Sequence, residues 1–263
     1  MNINEQQFSL LIKEGYLASS SIGYGLSSLR RAGTHLKGEY YQAFFQLSIG
    51  LERLMKLIII QYHRGKNNSF PNNKILKNYG HDLFKLYQTI INLETTTQEL
   101  IIDTSEVSMK ILLFLSEFSK SSRYYKLDTL TGRQHTVDPL IKWIEIQELI
   151  LKKHPKRKNS KSIYNQEFVR FFNENSAVIV LDERNKLFKN AEELLNKMEL
   201  DEYIQGYAVY YTYLLISTLT IRLGEIELEF YLYPHLREFF SIFNGGFSKY
   251  EIRKKKNWIN IGS

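Results

Sequence analysis

The chain contains no cysteine, which excludes disulfide bonds, thiolate nucleophiles and zinc sites with cysteine ligands. Proline and glycine are scarce as well, at four and 14 of 263 residues. Because so few helix breakers are spread over this length, the composition favours long helices over a sandwich of many short strands. Hydrophobic residues make up 43% of the chain and charged residues 24%, a balance typical of a globular protein with a sizeable core. We therefore predict an all-α fold.

We expect neither a secretory signal nor a membrane partner. The N-terminus has no basic stretch leading into an apolar one, so we predict a cytoplasmic protein. The longest uncharged run, 203–221, is interrupted by tyrosine and threonine throughout. Such a run is more typical of a buried helix than of a membrane span.

Sequence motifs of metal-dependent and nucleotide-dependent enzymes are missing. The six histidines are scattered without a His-x-x-x-His or Glu-x-x-His pattern, so we expect no metal ion. No glycine-rich loop follows a strand pattern and no Gly-x-Ser-x-Gly occurs, so we expect no cofactor.

Basic residues outnumber acidic ones, giving a formal net charge of +7. This excess is compatible with a nucleic-acid partner without requiring one. Two basic runs stand out, and each is either a phosphate-binding segment or a solvated linker or tail. The first contains Lys152, Lys153, Lys156, Arg157 and Lys158, and the second is Arg253-Lys-Lys-Lys256.

Tyrosine is abundant, with 18 residues. Most of these rings lie at helical spacing, and we expect them to fill the core. The segment Arg123-Tyr-Tyr-Lys126 instead interleaves rings with cations, a composition typical of sites that stack bases and bind phosphates. We therefore predict that Arg123, Tyr124 and Lys126 contact nucleic acid. Arg31 and the first basic run are the other candidate contacts.

Apolar periodicity predicts the order of the helices. The predicted helices lie at 5–31, at 39–62, from about 81, at 97–119, at 139–151, at 176–196 with Ser176 as N-cap, and at 202–223. Loops are predicted at 64–79 and 123–132. The segment 224–234 stays open, because its alternating Glu and apolar residues fit a strand whereas its neighbours favour a helix.

The predicted units are an N-terminal helical bundle at 1–152, a basic linker at 153–162, a C-terminal helical region at 163–245, separate or packed on the first, and a basic tail at 246–263.

Two short motifs carry a family likeness. The segment Gly50-Leu-Glu-Arg-Leu-Met-Lys56 lies inside the second helix, and Gly80-His-Asp-Leu83 follows the next loop. Together they resemble the HEPN superfamily over about residues 5–150, and most of all its uncharacterised bacterial branch. The residues that carry the resemblance are Gly50, Glu52, Arg53, Lys56, Gly80, His81 and Asp82. It implies a bundle of antiparallel long helices, a homodimer, and a role in bacterial defence or mobile elements through RNA cleavage or non-catalytic binding of RNA or nucleotides.

Active members of that superfamily cleave RNA without metal, using an Arg followed a few residues later by a His. Here the resemblance makes Arg30 and His35 the candidate catalytic residues, His35 as proton carrier and Arg30 as stabiliser of phosphate charge. The pair departs from the family pattern because it lies at the end of the first helix. For His81, at a helix start after Gly80, we expect a bond to a side chain of the preceding helix, with Glu52 as the candidate.

Three functions remain open at this point. The favoured one is a cytoplasmic HEPN-like protein that binds nucleic acid or nucleotides without catalysis. The first alternative is a metal-independent, toxin-like endoribonuclease, and the second is a protein-interaction scaffold with no nucleic-acid role.

Overall fold

The computed structural model describes residues 4–95, 105–132, 137–156, 166–175 and 178–259. The regular structure of this part is helical, apart from one isolated antiparallel bridge between Leu181 and Leu187. The all-α prediction is confirmed. The helices are α1 (Glu5–Arg31), α2 (Lys37–Asn67), α3 (Asn73–Lys77), α4 (Leu83–Ile91), α5 (Glu106–Lys120), α6 (Tyr125–Leu130), α7 (Pro139–Lys153), α8 (Gln166–Asn175), α9 (Ala191–Glu229) and α10 (Lys249–Lys254). Within the described ranges, no helix is long and apolar enough to cross a bilayer.

Helices α1 and α2 form a closely packed pair. The apolar residues that recur at spacings of three and four along α2 are buried, among them Phe44, Leu47 and Leu51. Glycine makes the close approach possible: a Cβ on Gly50 would lie 2.9 Å from the backbone nitrogen of Ile22. The first motif of the resemblance therefore contributes a glycine that packing requires.

Helix α9 is a single helix of 39 residues, and this corrects the prediction of two helices at 176–196 and 202–223. Its N-cap is Asn190, whose side chain accepts the backbone N–H of Glu193, whereas Ser176 lies outside the described residues. The helix continues through 196–202, where Lys197 to Leu200 are good helix formers and the buried Asp201 accepts the backbone N–H of Thr34 at 2.8 Å. It also extends to Glu229, so the first part of 224–234 is helical rather than a strand, and the chain then turns at Tyr231, which has a positive φ.

Three further boundaries differ from the predictions. The predicted loop at 64–79 contains the end of α2 and the short helix α3. Helix α2 continues because the Arg64 side chain is buried and donates to the carbonyl oxygen of Tyr233 at 3.1 Å. The predicted connector at 123–132 is a 3₁₀ turn followed by α6. The helix predicted at 97–119 begins at Glu106 in the described part, and 96–104 lie outside it.

A single buried apolar cluster contains residues from Leu11 near the N-terminus to Trp258 near the C-terminus. Helix α9 contacts α1, α2, α5 and α7, and α10 packs on α9. The C-terminal helices therefore pack on the N-terminal ones, and the division of the chain into the predicted units stays a prediction.

Candidate nucleic-acid interface

The two resemblance motifs contact each other. His81 Nδ1 lies 2.9 Å from Glu52 Oε2, so the expected contact between these side chains is present. Lys56 Nζ donates to Glu52 at 2.6 Å and to the carbonyl oxygen of Gly80 at 3.1 Å. Arg53 forms an ion pair with Glu14 of α1. These contacts hold the start of α4 and the face of α1 against α2, a structural role.

Asp82 completes this arrangement as the N-cap of α4. Its carboxylate accepts the backbone N–H of Lys85 at 3.1 Å, the hydroxyl of Ser116 at 3.0 Å and the ammonium of Lys120 at 2.9 Å. Burial acts to raise the pKa of Asp82, but these hydrogen bonds and the Lys120 charge outweigh it and lower the pKa below its usual value. The carboxylate is therefore engaged in fastening α4 to α5.

Arg30 and His35, the candidate catalytic pair, line one cavity of about 280 Å³ together with Arg31, Glu202 and Lys256. The Arg30 side chain is only 4% exposed. Its guanidinium donates to Glu202 at 3.2 Å and to the carbonyl oxygen of Arg253 at 3.0 Å. His35 is exposed. The structure thus places the pair in the same cavity, with the arginine already bound to a carboxylate.

A buried polar cluster borders this cavity. The hydroxyl of Thr34 lies 2.7 Å from Glu183 and 2.9 Å from Asp201, and Lys197 forms ion pairs with both carboxylates. Burial raises the pKa of Asp201. The cluster fixes the irregular segment 178–190 against the turn that joins α1 to α2.

The Arg123-Tyr124-Tyr125-Lys126 segment lies against α2. The guanidinium of Arg123 lies 5.6 Å from the ring centre of Tyr124, and Lys126 Nζ lies 4.7 Å from the ring of Tyr41. These residues line a cavity of about 260 Å³, and Tyr124 is exposed. Arg31 is engaged elsewhere, in an ion pair with Glu39 at 3.0 Å.

The first basic run is partly neutralised. Lys153 pairs with Glu106 at 3.0 Å and Lys156 pairs with Glu199 at 2.8 Å. Lys152 is exposed and forms no ion pair with the described residues. Arg157 and Lys158 lie outside the described part of the chain.

A group of rings and cations forms where α7, α9 and α10 meet. The predicted basic runs include its Lys153 and Arg253, but the sequence did not connect them with tyrosines. The members of the group are Lys153 and His154 at the end of α7, Tyr203, Tyr207 and Tyr210 on α9, and Lys249 and Arg253 on α10. We call this group the tyrosine–cation face. The tyrosines follow one another at spacings of four and three, which places them on one side of α9.

The centre of the tyrosine–cation face is a three-layer stack. The rings of His154 and Tyr207 are nearly parallel, with centroids 4.1 Å apart. The guanidinium carbon of Arg253 lies 3.7 Å from the centre of the Tyr207 ring. Lys249 Nζ lies 5.0 Å from the ring of Tyr210. Each contact is within the range of a cation–π or stacking interaction, so the contacts fasten α10 to α9.

Three positive charges act on His154 at this face. Burial, followed by the charges of Lys249, Arg253 and Lys153, lowers the pKa of His154. Neither Lys249 nor Arg253 lies within 4 Å of a carboxylate among the described residues. His154 Nε2 is 2.7 Å from the hydroxyl of Tyr211, which fixes the orientation of the imidazole. Cations that no carboxylate neutralises form a surface that attracts phosphates.

The chain matches no protein-family model, no curated protein and no solved structure. Its likeness to the HEPN superfamily therefore rests on the motif residues alone. The helical spacing of Tyr203, Tyr207 and Tyr210 was visible in the sequence. The contact of these rings with Lys249 and Arg253 of α10 was not visible, because the two cations lie about 40 residues further along the chain and meet the rings only after folding.

Proposed function

We propose that this protein binds nucleic acid or nucleotides without catalysing a reaction. The tyrosine–cation face carries the proposal, because Lys249 and Arg253 lie beside aromatic rings with no carboxylate of the described residues to neutralise them. Exposed Lys152 extends the positive charge at the end of α7. Phosphate groups are attracted to such a surface, because its cations are not neutralised by a neighbouring carboxylate.

Membership of the HEPN superfamily is part of the proposal. The α1–α2 pair, the contact between its two motifs and the all-helical fold support it. A role in bacterial defence or mobile elements, and a cytoplasmic location, come with that resemblance.

The proposal is tested by fluorescence anisotropy with a labelled short RNA over a series of salt concentrations. We expect affinity to fall as salt rises, because bound phosphates release counterions. The double variant K152A/K249A should bind more weakly and show a shallower dependence on salt, by about 0.7 in the log–log slope for each phosphate that is no longer bound. A matched control is K74A/K77A, which removes two exposed lysines of α3. Equal binding by the two double variants would contradict the assignment.

A metal-independent endoribonuclease is the second candidate, because Arg30 and His35 line the same cavity. For catalysis, Arg30 would have to leave Glu202 to reach a phosphate, since its guanidinium is now buried in that ion pair. Burial acts to raise the pKa of Glu202, but Arg30 and Lys256 outweigh it and lower the pKa, which keeps this carboxylate charged. Cleavage of RNA that persists in chelator and is lost in His35→Ala would establish this candidate in place of the first.

A homodimer is the remaining part of the proposal. Helix α1 exposes Leu10, Leu17 and Tyr24 at intervals of seven residues, which places them on one side of the helix. This apolar row is a suitable surface for a second copy of the chain.

A further inference from the structure

The exposed face of α10 carries a tyrosine between cations. Tyr250 is 68% exposed. It makes no hydrogen bond or ring contact to the described residues. Lys249 precedes it, and Lys254 follows it one helical turn later on the same side of the helix. An exposed ring between two cations combines a surface on which a base can stack with charges that attract phosphates.

The helix that presents Tyr250 is held firmly despite its short length. Ser248 and Glu251 form a reciprocal capping box at its start. Its inner face is anchored by Ile252, which is buried, and by the contact of Arg253 with Tyr207. The backbone positions of Tyr250 and its neighbours are therefore fixed before a ligand binds, which lowers the entropy cost of binding.

The acidic residue of this helix is already engaged. Glu251 accepts the backbone N–H of Ser248 at 2.8 Å and its hydroxyl at 2.7 Å. These hydrogen bonds lower the pKa of Glu251 and hold its charge at the helix start. In contrast, Lys254 forms no ion pair with the described residues. Both cations beside Tyr250 can therefore bind phosphates.

We infer that the ligand of the tyrosine–cation face is a single-stranded nucleic acid that continues onto the exposed side of α10. One unpaired base stacks on Tyr250 there, and Lys249 and Lys254 hold the flanking phosphates. This inference rests on the proposed function. In a duplex both faces of each base are covered by neighbouring bases, so a tyrosine ring can stack only on an unpaired base. A lone mononucleotide would use the ring but only one of the two cations.

The test is anisotropy with a labelled oligouridylate of about 12 nucleotides, a length that covers one compact binding site, and with a duplex RNA of the same length. Tyr250→Ala should weaken binding of the single strand by about 5- to 150-fold, the range expected when one base no longer stacks on a ring. It should change duplex binding by less than about two-fold, because the duplex offers no base to this ring. Tyr250→Phe keeps the ring and should restore the affinity.

Tyr16→Ala is the matched control, because Tyr16 is an exposed tyrosine in the middle of α1 and lies outside the proposed site. Circular dichroism melting of each variant shows whether it is folded. Single-strand binding that is unchanged in Tyr250→Ala but weakened in K152A/K249A would overturn the inference and leave the proposed function standing. Equal losses in Tyr16→Ala and Tyr250→Ala would also overturn it. No binding of either RNA by the wild-type protein would overturn both.

Discussion

At the scale of single residues, the pKa of His154 depends on the positive charges of the tyrosine–cation face. The positive charges around this imidazole act with burial to disfavour its protonated form and lower its pKa. Lys249→Ala removes one of them, so the pKa of His154 should rise. We expect this rise in an NMR titration of the imidazole protons, with the His154 signals assigned by their loss in His154→Gln. Lys74→Ala on α3 should leave that pKa unchanged, and an unchanged value in Lys249→Ala would show that the ammonium is too well solvated to act on the ring.

Glu227 is a buried carboxylate that couples stability to pH. Its oxygens accept the backbone N–H of Leu236 at 2.7 Å and of Arg237 at 3.3 Å, yet burial raises its pKa to about 7. Between about pH 5 and pH 7 the folded state therefore binds a proton that the unfolded state has already lost. Raising the pH through this window removes that proton and lowers the free energy of unfolding.

We expect urea denaturation to show this loss in the wild-type protein and not in Glu227→Gln, which cannot ionise. The comparison uses the slope of stability against pH, because the substitution also changes the hydrogen bonds and so the absolute stability. Parallel curves for the two proteins would contradict the assignment of this proton to Glu227.

At the scale of secondary-structure elements, the α1–α2 pair depends on the absence of a side chain at Gly50. A Cβ there would lie 2.7 Å from the Ile22 side chain and 2.9 Å from its backbone nitrogen. Gly50→Ala should therefore force the helices apart and lower stability by about 1–3 kcal/mol. Gly38→Ala is the control in the same helix, since no atom of the described residues lies within 4 Å of a Cβ there. It should leave the melting temperature unchanged or raise it slightly. A similar melting temperature in both variants would show that α1 can shift freely.

The helices were largely predictable from the sequence, since apolar residues at spacings of three and four mark one buried side of α1 and α2. Some helix ends were not. We predicted a break between 196 and 202, whereas Asp201 is buried there and bound to Thr34 from another part of the chain. Helix propensity depends on the local sequence, so it does not predict a contact with a residue that is distant in the chain.

The candidate site was predictable only in part, for a similar reason. The contact between His81 and Glu52 followed from a helix start next to a predicted helix. The stack of Arg253, Tyr207 and His154 joins three elements that are distant in sequence. Single-residue patterns identify rings and cations, but only the packing of α7, α9 and α10 brings them together.

At the scale of the whole molecule, the exposed row on α1 leads to a prediction about assembly. Leu17 is at the centre of this row and is 45% exposed. Leu17→Glu would place a charge in the proposed dimer interface, and we expect it to shift the protein to monomer in sedimentation velocity. Leu130→Glu on α6 is the control, because Leu130 is 83% exposed and lies away from α1 in the chain. A wild-type monomer, or a dimer in Leu17→Glu, would exclude this interface.

The central claim is that this protein binds nucleic acid and leaves it intact. The most direct measurement is a labelled single-stranded RNA incubated with the protein in chelator and run on native and denaturing gels at two salt concentrations. We predict a shifted band on the native gel that weakens with salt, and full-length RNA on the denaturing gel. Shortened RNA would contradict the claim in favour of the endoribonuclease, and an unshifted, intact RNA would contradict it in favour of a protein-interaction scaffold.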